Sequence, residues 1–277
     1  MVAPDTGRLF VVSTPIGNLG DITHRAVEIL RTANLVLAED TRHSRRLLDH
    51  IGSTVHVQAY HEHNEARTAP ALIERLLAGA QVALISDAGT PLLSDPGARL
   101  VQQAIDAGVS VVPIPGASAL LAALVGSGIS AERFTYFGFL ERKGAERRRA
   151  LEAIAALEHT AILFEAPGRV GRTLTDLDAA GCGERSATVA RELTKQFEEF
   201  RRGTVRALAA YYTESAPRGE VVIVLAGRST TAASEDVLRA EAGAMRERGV
   251  AAREIVDRLV TEFGASRNVA YRLAHDT

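Results

Sequence analysis

Short apolar runs recur through the first 115 residues, and each ends abruptly in a polar loop. Leu9-Phe10-Val11-Val12 gives way to STPIGNLGD, and a helical pattern starts near Ile22. Asn34 to Ala38 runs into Glu39-Asp40-Thr41. Residues 68–78 carry Ala71, Leu72, Ile73 and Leu76 at the spacing of one buried helix face. Val82 to Ile85 empties into SDAGTPLLSDPG; a helix from about Gly97 to Ala107, stopped by Gly108, leads to the next strand, Val109 to Ile114. Strands without polar alternation, separated by helices, predict a parallel sheet covered on both faces.

A second set of elements begins after Pro113-Ile114-Pro115-Gly116. A helix is expected from Ser118 through Val125, then a strand from Phe134 to Phe139, an arginine-rich helix, and a strand from Thr160 to Phe164. Further strands are expected at Ser186 to Arg191 and Glu220 to Ala226. The small polar stretch from Arg228 to Ser234 reads as a linker. Beyond it lie helical patterns only: Ala251 to Phe263 aligns Ile255, Val256, Leu259 and Val260, and Ser266 is placed to cap a last helix. The expectation is an α/β chain: one α/β domain over 1–116, a second over 117–228, and a helix-turn-helix-like domain over 235–277 turning at Gly264-Ala265.

Composition narrows the class. The chain has 277 residues, 46% hydrophobic and 24% charged, with a net charge of −2. That charge argues against gripping nucleic acid by bulk electrostatics, although local basic patches exist. A single cysteine, Cys182, permits no intramolecular disulfide. It lies between two glycines without an activating partner and reads as inert. No signal-peptide pattern and no membrane-length apolar run are present, so a soluble cytosolic protein is expected.

Four loops fall where open α/β sheets bind ligands, at the carboxyl ends of strands: STPIGNLGD, EDTRHS, SDAGTPLLSDPG and PIPGAS. None has the G-x-G-x-x-G spacing of a dinucleotide site or the Gly-Lys-Ser/Thr of a P-loop. The first two have plainer readings as well. STPIGNLGD serves equally as a turn with a helix cap, Asp40 and Arg42 as a solvated pair, and Arg42, His43, Arg45 and Arg46 as an exposed helix face. His61 and His63 lack the partners of a metal motif, and no metal is expected.

Taken in order, STPIGNLGDIT, AEDTRHSRRLL, YHEHNE, SDAGTPLLSDPG, PIPGASALLAAL, ARELTKQFEE and GEVVIVL resemble the ribosomal RNA small subunit methyltransferase I family over about residues 8–227. The resemblance implies a tetrapyrrole methylase fold, with S-adenosyl-L-methionine held in the cleft between two α/β domains, and a homodimer. It implies methylation of the ribose 2′-hydroxyl of a cytidine in the decoding region of 16S rRNA. By the same resemblance SDAGTPLLSDPG stands where the superfamily has its Gly-Gly-Asp-Pro donor loop, and Pro15, Asp87, Ala88, Gly89, Thr90, Ser118, Ala119, Phe164, Glu165 and Ala190 meet the donor. Gly89 permits a close backbone approach, Asp87 supplies an anion, and Pro91 and Pro96 stiffen the loop. The sequence departs from the family where Gly138-Phe139-Leu140 is followed by Glu141 instead of proline.

Methyl transfer from a sulfonium needs alignment above all, and a base near the weakly nucleophilic hydroxyl helps. Glu39 and Asp40 are the candidate bases, with Arg42, Arg191 and Lys195 as positioning or charge-stabilising groups; the sequence does not choose among them. Arg42, Arg45, Arg46, the basic run Arg142, Lys143, Arg147, Arg148 and Arg149, and the tail's Arg253, Arg258, Arg267 and Arg272 are expected to meet phosphates, preferably on the assembled small subunit. The rival readings are a methylase of a tetrapyrrole or corrinoid, and a non-catalytic RNA-binding factor.

Overall fold

The computed structural model describes residues 7–228, 235–261 and 263–275. The chain forms two compact units, one of residues 1–155 with 159–226, the other of 156–158 with 227–277.

The larger unit begins with five parallel strands, β1 (Arg8–Val12), β2 (Leu35–Ala38), β3 (Val57–Ala59), β4 (Gln81–Leu84) and β5 (Ser110–Ile114). They lie in the order β3-β2-β4-β1-β5. Helices α1 (His24–Thr32), α2 (Thr41–His50), α3 (Glu65–Leu77) and α4 (Ala98–Asp106) connect them. Successive side chains of a strand face opposite ways, and here both ways are apolar. Val82 and Leu84 join Leu9, Leu72, Leu76 and Leu100 in one core, while Ala83 and Ile85 join Val12, Leu30, Leu48 and Ile114 in another. The absence of alternation in the sequence is thus the imprint of a sheet covered on both sides. Truncating one of these leucines to alanine costs about 2–5 kcal/mol.

A second sheet follows α5 (Ala119–Ser127). Its strands are β6 (Phe134–Phe139), β7 (Thr160–Glu165), β8 (Ser186–Arg191), β9 (Glu199–Thr204) and β10 (Val221–Leu225), interleaved with α6 (Ala145–Ala156), α7 (Val170–Leu177) and α8 (Val205–Glu214). Their order is β6-β7-β10-β8-β9; only the β6–β7 pair is parallel. The central β10, VVIVL, is buried along its whole length. On one face Ile162, Ala190, Val222 and Val224 pack with Leu120, Ala123 and Leu124 of α5, and Ile16 from the loop after β1 completes that cluster. The two sheets therefore share apolar contacts where their loops meet. Cys182 is fully buried after α7, and burial pushes its thiol up.

Among the described residues the smaller unit holds three helices, α9 (Glu235–Glu247), α10 (Ala252–Thr261) and α11 (Arg267–His275). Leu238, Met245, Ile255, Leu259 and Leu273 form its core. Ser266 caps α11, its hydroxyl accepting from the Val269 N–H at 3.3 Å. The expected linker lies, from Ser229 to Ser234, outside the described residues. Among the described residues no helix is long and apolar enough to cross a membrane.

Candidate active site

The loops after β1, β4 and β5 are stitched together at the carboxyl edge of the first sheet. Thr14 and Gly89 exchange both backbone hydrogen bonds, at 2.8 and 3.0 Å. Ser13 Oγ lies 3.1 Å from Thr90 Oγ1, and that hydroxyl donates to the Ala117 carbonyl at 3.3 Å. Gly89 has φ +79°, and a Cβ there would stand 3.2 Å from Ile16 Cγ2. Its freedom serves the bridge to Thr14: the main-chain N–H and carbonyl of Gly89 face that strand loop and are occupied by it.

The rest of SDAGTPLLSDPG is held in an uncommon shape. Leu92 and Ser94 have φ of 74° and 69°, a left-handed conformation costing roughly 1–2 kcal/mol for a residue with a side chain. Ser94 Oγ lies 2.7 Å from Tyr136 Oη on β6, which fastens the loop to the second sheet.

Between these loops and the second sheet lies a cavity of about 370 Å³. Ile16, Leu93, Phe139, Phe164, Leu193 and Val222 give it apolar walls, and Asp87, Asp95, Glu165 and Glu220 bring four carboxylates to its lining. Glu165 is 2% exposed and fully engaged. It accepts from Ala166 N–H at 2.8 Å and Thr173 Oγ1 at 2.6 Å, and pairs with Arg169 at 3.0 Å. Glu220 pairs with Lys195 at 3.1 Å. Asp87 accepts from the Asp40 N–H at 3.1 Å. Burial and the Glu39 carboxylate push Asp95 up to about 6.

Of the residues singled out in sequence as donor contacts, Asp87, Ala88, Gly89, Thr90, Ser118, Ala119, Phe164 and Glu165 all line this cavity. Pro15 and Ala190 are not among its lining residues; Ala190 packs in the core behind it. Glu39, Asp40, Arg42, Arg191 and Lys195 also stand outside the lining. Asp40 caps α2, accepting from the N–H groups of Arg42 at 2.8 Å and His43 at 3.2 Å, and these bonds hold its carboxyl below the usual range. Burial, then Asp87, pushes Glu39 up, with His61 opposing. Arg191 pairs with Glu199 at 2.7 Å. Lys195 lies between Glu192 and Glu220, at 2.9 and 3.1 Å; burial pulls its ammonium down, but the two carboxylates outweigh this and raise it. Its stem covers Gly17, where a Cβ would meet Lys195 Cγ at 2.4 Å.

The basic run needs a correction. Arg147 is only 4% exposed and does not face outward to phosphates. Its guanidinium bonds Asp176 at 2.7 and 3.0 Å, Thr173 at 3.0 Å and the Glu141 carbonyl at 2.9 Å. Through Thr173 it buttresses Glu165 in the cavity wall. Arg142, Lys143, Arg148 and Arg149 remain exposed, as do Arg42, Arg45 and Arg46.

The profile of the Tetrapyrrole (Corrin/Porphyrin) Methylases matches residues 8–209. A ribosomal RNA small subunit methyltransferase I from Synechocystis sp. is 46% identical over 271 residues, 97% of each chain. Its counterpart from Mesorhizobium japonicum is 54% identical over 216 residues, 78% of this chain and 74% of the relative. The chain belongs to the ribosomal RNA small subunit methyltransferase I family. Among solved structures, uroporphyrin-III C-methyltransferase from Thermus thermophilus complexed with S-adenyl homocysteine shares the fold, with TM-score 0.58 and 19% identity over 79% of this chain and 97% of that one. Diphthine synthase does too, at TM-score 0.61 and 19% identity over 79% and 89%.

Within this member of the family the sequence reasoning passed over Asp95, Ser94, Phe139 and Glu220, all of which line the cavity. Asp95 was in plain view as the second aspartate of SDAGTPLLSDPG. What no spacing rule supplies is the pair of left-handed residues that shape the loop around it.

Proposed function

We propose that this protein transfers a methyl group from S-adenosyl-L-methionine to the ribose 2′-hydroxyl of a cytidine in the decoding region of 16S rRNA. The observation that carries the reading is the cavity, lined by apolar and aromatic side chains together with the carboxylates Asp87 and Asp95 of the loop after β4. A nucleoside bearing a sulfonium asks for both, since its base seeks apolar contact and its charge seeks anions. Among the described residues no lysine or arginine pairs with Asp87, Asp95 or Glu39, so the first sheet leaves an uncompensated negative edge beside the cavity. The curated relatives are named for ribosomal RNA of the small subunit, and the Synechocystis one spans 97% of the chain.

Phe164, Phe139, Ile16 and Leu193 would hold the donor's base, and Asp87 its ribose or ammonium group. The donor brings a methyl group already activated by positive charge. The protein's task is then alignment, worth roughly 7–11 kcal/mol when preorganised. The stitched loops are suited to it, because Thr14–Gly89, Ser13–Thr90 and Ser94–Tyr136 fix three walls relative to one another. Exposed Arg42, Arg45, Arg46, Arg148 and Arg149 would meet phosphates of the assembled subunit. Homodimerisation is part of the reading, and the outward Leu121 and Val125 on α5 favour it, being 51% and 76% exposed on a helix apolar all round.

The test is transfer of labelled methyl to purified small subunits lacking the modification, beside free 16S rRNA. Label at one ribose 2′-oxygen is expected. Donor binding without transfer to either RNA would defeat the reading and favour a tetrapyrrole or corrinoid acceptor.

A further inference from the structure

We infer that Asp95 is the group that takes the proton from the acceptor hydroxyl, an assignment that rests on the proposed activity.

Four carboxylates line the cavity, and three of them already hold an N–H donor or a cation. Asp87 holds the Asp40 N–H, Glu165 holds Ala166 N–H and Arg169, and Glu220 holds Lys195. Those partners occupy carboxylate lone pairs that an acceptor of the hydroxyl proton would need. Asp95 differs: among the described residues no N–H group or cation bonds its carboxylate, the nearby Ser86 hydroxyl donates to the Ala88 carbonyl at 3.3 Å, and the charges facing Asp95 are Glu39 from the loop after β2 and Asp87 from its own loop. On the β6 side the facing group is the Tyr136 phenol, bonded to the neighbouring Ser94 and itself pushed up by burial. Partial burial, and then the like charge of Glu39, push Asp95 up to about 6, which leaves it ionised above about pH 6 and able to accept a proton.

The backbone places it on purpose. Ser94 at φ 69° precedes it and Gly97 at φ 125° follows two residues later, where a Cβ would strike Leu84 Cδ2 at 2.6 Å. The Ser94–Tyr136 bond then pins this turn against the second sheet, so the carboxylate is held at the junction of the two halves. Strain kept at a cleft and fixed by a tertiary bond is what a positioned reactive group requires. Asp40, by contrast, is exposed and held acidic by capping α2, and Glu39 lies outside the lining.

The step balances simply. The hydroxyl O–H bond breaks as the new O–C bond forms, and the proton goes to an Asp95 carboxylate oxygen. The C–S bonding pair stays on sulfur, which leaves as a neutral thioether. The protonated Asp95 then releases its proton to water.

The experiment compares the full-length protein with D95N and D95E. Calorimetry measures S-adenosyl-L-methionine affinity, single-turnover assays on unmodified small subunits measure the chemical step from pH 5 to 9, and carboxyl-carbon NMR follows titration of the ligand-free protein. D95N is expected to bind the donor within about threefold of the parent, yet to lose at least about 100-fold in rate. The parent's rate is expected to fall below about pH 6, and a carboxyl titrating near 6 is expected in the parent and absent from D95N. D95E, which keeps the carboxylate, is expected to recover part of the rate, and it carries the test should D95N fail to fold. Full rate in D95N, or a loss of donor affinity matching the loss of rate, overturns the assignment. A parent protein that binds donor but labels neither RNA overturns the proposed activity itself, a result read before any variant is compared.

Discussion

The Asp87 carboxylate accepts a hydrogen bond from the main-chain N–H of Asp40 at 3.1 Å, joining the loop after β4 to the start of α2. Asp87 is thereby oriented from outside the cavity and presents its remaining lone pairs inward. Asp87→Ala removes an anion from the lining while leaving both strands and the α2 cap intact. Donor affinity is expected to fall about 10- to 100-fold, the worth of a charge-assisted bond of roughly 1.5–3 kcal/mol. Calorimetry would check this, and unchanged affinity would remove Asp87 from the donor site.

Gly89→Ala tests the bridge to Thr14. The substitution forces a side chain into φ +79°, with its Cβ 3.2 Å from Ile16. A loss of about 1–2 kcal/mol in urea unfolding is expected, accompanied by weaker donor binding because the floor of the cavity shifts. Loss of stability with full affinity would show that the bridge shapes the fold and not the site.

Arg147 and Arg148 are neighbours in sequence with opposite expected phenotypes. Arg147→Ala strips Asp176 and Thr173 of their buried partner and should destabilise by about 3 kcal/mol. Arg148→Ala, at an exposed site, should change stability by less than about 0.5 kcal/mol while weakening subunit binding and flattening its salt dependence. Equal unfolding midpoints for the two variants would contradict the burial of Arg147.

Asp95 also imposes a pH dependence on stability. Its folded value near 6 lies above that of the unfolded chain, so between about pH 4 and 6 the folded protein holds more protons than the unfolded one. The half-buried carboxylate therefore subtracts stability progressively as pH rises from about 4 to 6, and the full penalty stands above that. D95N is expected to raise the melting temperature at pH 8 and to change it little at pH 4. A shift of the same size at both pH values would mean the effect is packing, not charge.

Much of the architecture was legible because burial leaves a period in the sequence. β6 and β8 have the bounds expected from their apolar runs, and the first sheet's doubly buried strands read as unbroken hydrophobic stretches. One edge strand of each sheet was not legible. β3 is three half-buried residues, VQA, and β9 is EFRRGT, whose charged positions are those of a sheet margin facing water. At the site, the cavity-lining loop was recognised from its motif, but the prominence of Asp87 hid Asp95, whose environment depends on Glu39 and Tyr136 far away in sequence. Arg147 was recoverable in principle. It stands four residues before Leu151 and seven before Ile154, on the helical stripe that faces inward, and only its charge disguised it.

The inward turn of Arg147 also sets the phase of α6. An α-helix advances 100° per residue, so with Arg147 anchored, the directions of Arg148 and Arg149 follow. One residue inserted at Gly144, ahead of the helix, would leave the chain a choice between swinging the whole cationic face a quarter-turn or more around the axis and surrendering the anchor. The run therefore works as a keyed shaft, in which one buried tooth determines where the exposed charges point.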